Sequence, residues 1–108
     1  MSFFTKLFGN TNSAGAEISK AVTDGALLVD VRSEAEFRSG SVSGSVNIPV
    51  DQITLRLNEL KGKSGIVVFC RSGNRSRMAM SILKDLGIKN IIDGGAWQSV
   101  NEIVSKSK

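Results

Sequence analysis

The chain alternates short apolar runs with longer segments whose apolar residues recur at helical spacing. Leu27, Leu28, Val29, Asp30 and Val31 form one run, Val46 to Ile48 another, and Ile66 to Phe69 a third. Runs this short, with neither face clearly polar, read as strands buried on both sides. Between them, helices are predicted over 17–23 (Ile18, Ala21, Val22), 51–60 (Ile53, Leu57, Leu60) and from about 76 to 86 (Met78, Ala79, Ile82, Leu83, Leu86), each from its apolar stripe. Punctuation agrees with this. Gly25 stops the first helix, and Ser33 with Glu36 makes a capping box ahead of EAEF. Pro49 ends a strand, and Gly87 suits a left-handed helix end. Residues 90–93 read as a last strand, GGAW as a turn, and 98–108 as a closing helix. Strands alternating with helices predict an α/β fold: a mainly parallel central sheet flanked by helices on both faces. Function in such a sheet belongs at the carboxyl ends of its strands, where both Asp30–Arg32 and Cys70 fall.

Length narrows the organisation. The 108 residues suit one domain, expected over 14–108. Residues 1–13 read as an appendage, with Phe3, Phe4, Leu7 and Phe8 at helical spacing. Its expected role is to cover an exposed face of the domain. The alternative is a weak contact of residues 1–10 with a membrane surface or a partner. No apolar stretch approaches the ~20 residues of a membrane span, and the start is too short and broken for a signal peptide, so a cytoplasmic location is expected. The net charge of +4 is modest and spread along the chain, which argues against nucleic acid as a partner.

Cysteine and histidine counts change the picture more. One cysteine excludes an internal disulfide and an internal dithiol cycle. The absence of histidine excludes a Ser-His-Asp triad, a Cys-His dyad and histidine metal sites, and no cofactor or metal is called for.

The lone Cys70 ends a strand and opens the run CRSGNRS, which leads into a helix. A short loop so placed turns successive N–H groups inward, and the helix start adds its own unpaired donors and positive potential. Arg71, Arg75 and Arg77 add charge, and no acid intrudes in sequence between Cys70 and Lys84. A lone cysteine after a strand is by itself most often a small buried hydrophobe. These surroundings instead favour the thiolate, the form that attacks sulfur or phosphorus, without histidine as a base. Arg77 is the weakest member, because a solvated helix face explains it equally well.

LLVDVRSEAEF, GSVSGSVNIPV, VVFCRSGNRS and GGAW, in this order, resemble the successive motifs of the rhodanese family across about residues 15–100. The resemblance implies a parallel α/β fold and transfer of sulfane sulfur from an anionic donor such as thiosulfate, through a cysteine persulfide, to cyanide or a thiol, which a protein can carry. It implies that Cys70 is the nucleophile and that Arg71, Ser72, Gly73, Asn74, Arg75 and Ser76 bind substrate through their amides and the Arg71 and Arg75 side chains. Asp30 and Arg32 would support the loop, through an Asp30–arginine or Arg32–Glu36 pair, while Trp97 is expected in the core. Two features depart from the family pattern. Ser41 stands where Gly-His-Ile is usual, and the usual first strand has no clear counterpart, the Phe-rich start standing in its place.

Two rivals remain. A sulfur carrier or interaction module would keep Cys70 but serve a dedicated protein partner. A phosphatase or arsenate reductase of related fold resembles a longer loop, with arginine six positions after cysteine. Here that position is Ser76 and arginine comes at the fifth, so the smaller cradle favours sulfur.

Overall fold

A computed structural model describes residues 15–107. The readings made for residues 1–13 lie outside the described residues. Helix α1 occupies 15–23. It is followed by β1 (Leu27–Asp30), α2 (Glu34–Arg38), β2 (Val46–Asn47), β3 (Ile66–Cys70), α3 (Asn74–Asp85), β4 (Ile91–Ala96) and α4 (Trp97–Ser107). The strands form one parallel sheet in the order β2-β1-β3-β4.

Burial on both faces explains the apolar runs. All five residues of β3 are buried, and alternate ones serve different cores. Ile66, Val68 and Cys70 join Val29, Val31, Ile48, Ile53, Leu60, Ala79 and Leu83 on the α3 side. Val67 and Phe69 join Leu28, Ile18, Val42, Val100 and Val104 on the side of α1 and α4. Each buried Val, Leu, Ile or Phe among them stabilises the fold by about 1.5–3 kcal/mol relative to exposure, so the two-sided β3 is the structural axis.

Several sequence expectations change. No α-helix spans 51–60. Two 3-10 turns, Val50–Gln52 and Leu57–Glu59, take its place. Ile53 and Leu60 still reach the core. Between the turns Arg56 leaves helical geometry (φ −110°, ψ 25°), while its guanidinium donates to the Asn47 carbonyl at 3.0 Å and to Glu59 at 2.7 Å. Tertiary anchoring thus overrides the helical period. The GGAW segment is not a turn: β4 runs through Ala96 and α4 begins at Trp97. Met78 and Leu86 are exposed rather than buried. The inward face of α3 is set by Ser76, Ala79 and Leu83, Met78 falls one residue off that stripe, and Leu86 is already the cap. The glycine stop is as expected. Gly87 N–H donates to the Lys84 carbonyl and Ile88 N–H to the Leu83 carbonyl, both at 3.0 Å, with Gly87 at φ 87°.

Candidate functional site

The carboxyl ends of β1, β3 and β4 converge on Cys70. The sulfur ends β3 and lies against the start of α3, whose cap residue Gly73 adopts φ 99°, a left-handed conformation, with no side chain capping the helix. The sulfur takes that place. Sγ accepts the Gly73 N–H at 3.0 Å and the Ser76 N–H at 3.4 Å. Burial pushes the Cys70 thiol up. The Ser76 amide and hydroxyl and the Gly73 and Ser72 amides together outweigh it and bring the thiol below its ordinary value. Two amides thus bond the sulfur, and α3 starts at Asn74 rather than about Ser76, so Asn74 and Arg75 belong to its first turn.

The arginines divide. Arg71 is exposed and, among the described residues, meets no acceptor. Arg77 is exposed and donates to Asn74 Oδ1 at 2.9 Å, a solvated helix face. Arg75 is held bidentately by Glu36, at 2.7 and 3.0 Å. That pairing brings the Glu36 carboxyl down to about 2 and raises the Arg75 guanidinium, which also feels the charges of Cys70 and Asp30. Glu36 therefore does two jobs. Its carboxylate completes the capping box with Ser33, as expected, and it clamps the active loop. The second job is invisible in sequence, because 39 positions separate the partners.

Asp30 and Arg32 form a buried pair at the carboxyl end of β1. Asp30 accepts from Arg32 Nε at 3.0 Å, from its Nη2 at 2.7 Å and from its amide at 2.9 Å. Arg32 also donates to the Gly40 carbonyl at 2.6 Å and lies 4.9 Å from the centroid of the Trp97 ring. It does not reach Glu36, so of the two supporting pairs read from sequence the Asp30 one forms. Ser41 fills the place of the usual histidine by donating to Asp30 Oδ2 at 2.6 Å. Trp97 is half-buried against the α1–α4 core, as expected, with Arg32 over its face.

Sequence reasoning missed Asp93. Ser76 Oγ donates to Asp93 Oδ1 at 2.7 Å, and the same oxygen accepts the Gly95 N–H at 3.0 Å. The available signal was an acid immediately before the GGAW motif. Among the described residues no group of acids, cysteine or histidine could hold a metal, and no helix is long and apolar enough to cross a membrane. A buried, amide-cradled thiolate beside exposed Arg71 can attack an electrophilic sulfur and hold the resulting anion.

Comparison with known proteins agrees with this geometry. The rhodanese-like domain model matches residues 14–99. A sulfurtransferase of Allochromatium vinosum is 35% identical over 81 residues, covering 71% of this chain and 76% of that protein. Other curated relatives are longer, and the chain spans 36% of one and 60% of another. A rhodanese-related protein from Thermoplasma volcanium has 32% identity and a TM-score of 0.68, with 82% of this chain and 87% of that one covered. The human single-domain sulfurtransferase TSTD1 has 25% identity and a TM-score of 0.64, with 81% and 91% covered. Sequence, parallel sheet and relatives agree: the chain belongs to the rhodanese-like sulfurtransferase family.

Proposed function

We propose that the protein is a sulfurtransferase that moves a sulfane sulfur from thiosulfate or a similar anionic donor, through a persulfide on Cys70, to cyanide or a thiol. The observation that carries this reading is the Cys70 sulfur capping α3, with amides from Gly73 and Ser76 aimed at it. The Cys70 thiolate attacks the outer sulfur of the donor. The sulfur–sulfur bond of the donor breaks, and sulfite leaves with the electron pair. The terminal persulfide anion then lies among the amides of residues 71–76, which stabilise negative charge without reorganising. Cyanide or a thiolate attacks that outer sulfur, carries it off as thiocyanate or a new persulfide, and returns the Cys70 thiolate. With no second cysteine in the chain, release depends on an external acceptor, which a partner protein can supply. Arg71 meets the donor anion, while the Asp30–Arg32 pair supports the site from the end of β1. The site needs no cofactor for these steps, and a cytoplasmic location suits a thiol kept reduced.

Steady-state assay with thiosulfate and cyanide tests the reading. Ping-pong kinetics with thiocyanate release, lost in Cys70→Ser, is expected. Phosphate-ester hydrolysis without thiocyanate would instead point to the phosphatase rival. Persulfide formation without turnover to small acceptors would point to a carrier for a dedicated protein.

A further inference from the structure

Of the arginines near the site, Arg32 is paired with Asp30 and Arg75 with Glu36, whereas Arg77 donates only to the neutral amide oxygen of Asn74. Only Arg71 meets no acceptor among the described residues. A groove of about 450 Å³ beside Arg75 is bordered by Asp51 and by Glu34, the latter itself paired with Arg38 at 3.0 Å. One of the three arginines that the sequence places at the loop, Arg75, therefore has its charge compensated by Glu36. The Glu36–Arg75 pair is bidentate and joins α2 to an arginine of the loop itself.

We propose that Glu36 is a specificity-determining residue: by neutralising Arg75 it tunes the Cys70 site to monoanionic sulfane-sulfur donors over dianionic ones. The inference rests on the sulfurtransferase reading above. A dianion gains twice what a monoanion gains from each uncompensated cation, so removing the Glu36 charge favours the dianion selectively. The reaction is unchanged for either donor. Thiolate attacks the outer sulfur, and sulfite or a sulfinate leaves with the electron pair.

Thiosulfate and methanethiosulfonate test this, since both offer a terminal sulfur but differ by one charge. The measured quantity is the ratio of their kcat/KM values, with cyanide as acceptor. The wild-type ratio is the reference. Glu36→Gln should move the ratio toward thiosulfate by about threefold or more, the effect of one charge several ångströms away in water. Glutamine still completes a capping box with Ser33, so the helix start is retained. Glu36→Asp keeps the charge while disturbing the bidentate geometry, and its ratio should stay within about twofold of wild type, less than a full charge is worth. A role confined to bracing the loop would lower both donors alike in both variants and leave the ratio unmoved, which overturns the proposal. A ratio that moves in Glu36→Asp as it does in Glu36→Gln overturns it as well. If wild type forms no persulfide with either donor by intact mass, the sulfurtransferase reading itself fails, a result separate from an unmoved ratio.

Discussion

A single hydroxyl proton links Ser76 to its surroundings. Oγ lies within reach of Asp93 Oδ1 at 2.7 Å and the Gly73 carbonyl at 3.1 Å, and the hydroxyl also helps to lower the Cys70 thiol. Removing it should leave the Gly73 and Ser76 amides in place and take one favourable contact from the thiolate. Ser76→Ala is therefore expected to raise the pKa of Cys70, read as a shift of the pH profile of iodoacetamide alkylation to higher pH. An unmoved profile would mean that the amides alone set the thiol. At this scale Cys70 and its loop were legible in sequence, because strand end, loop and helix start are consecutive. Glu36 and Asp93 were not. Their roles depend on α2 and β4 arriving beside the loop, and nothing local in RSEAEF or IIDGG announces that.

At the scale of elements, β4 shows how a glycine places the site. Its register against β3 slips between Val68 and Phe69, pairing Val68 with Asp93 but Phe69 with Gly95. Gly94 is passed over at this bulge. A Cβ there would come within 2.7 Å of Val100 Cγ2, 3.1 Å of Val67 Cγ1 and 3.2 Å of the Val68 carbonyl. Gly94→Ala should accordingly destabilise the fold by about 1–3 kcal/mol, seen as a lower urea midpoint. It should also disturb Asp93 and hence Ser76. A midpoint within error of wild type would show that α4 moves aside freely. The strands, α1, α3 and the capping box could be read from periodicity and end signals. The segment 51–60 could not, since Ile53, Leu57 and Leu60 keep helical spacing while Arg56 is tied to Asn47 and Glu59. GGAW reads as a turn because paired glycines mark turns, whereas here they admit a bulge beneath α4.

For the molecule as a whole, the depressed Cys70 and Glu36 values become a pH dependence of stability. The unfolded thiol titrates near 9.0, and the folded one lies lower. Between those values the unfolded chain binds more protons, so stability rises with pH there and is lost as pH falls through the folded value. Urea midpoints of wild type should therefore gain on those of Cys70→Ser as pH rises through this window, and run parallel to them below it. Curves parallel throughout would mean that the thiol is not shifted. On the acid side Glu36, at about 2 when folded against 4.5 ordinarily, contributes stability above pH 4.5 that is lost as pH falls toward 2. The pair is about one-third exposed, so its contribution is on the order of 1 kcal/mol or less after screening.

The central claim is that Cys70 carries the transferred sulfur, and intact mass spectrometry tests it most directly. After incubation with thiosulfate and removal of excess donor, wild type should gain the mass of one sulfur atom (~32 Da) and lose it on adding cyanide, with thiocyanate released, while Cys70→Ser gains nothing. An unmodified wild-type mass under conditions where free thiol is still detected, or an equal adduct on Cys70→Ser, would contradict it.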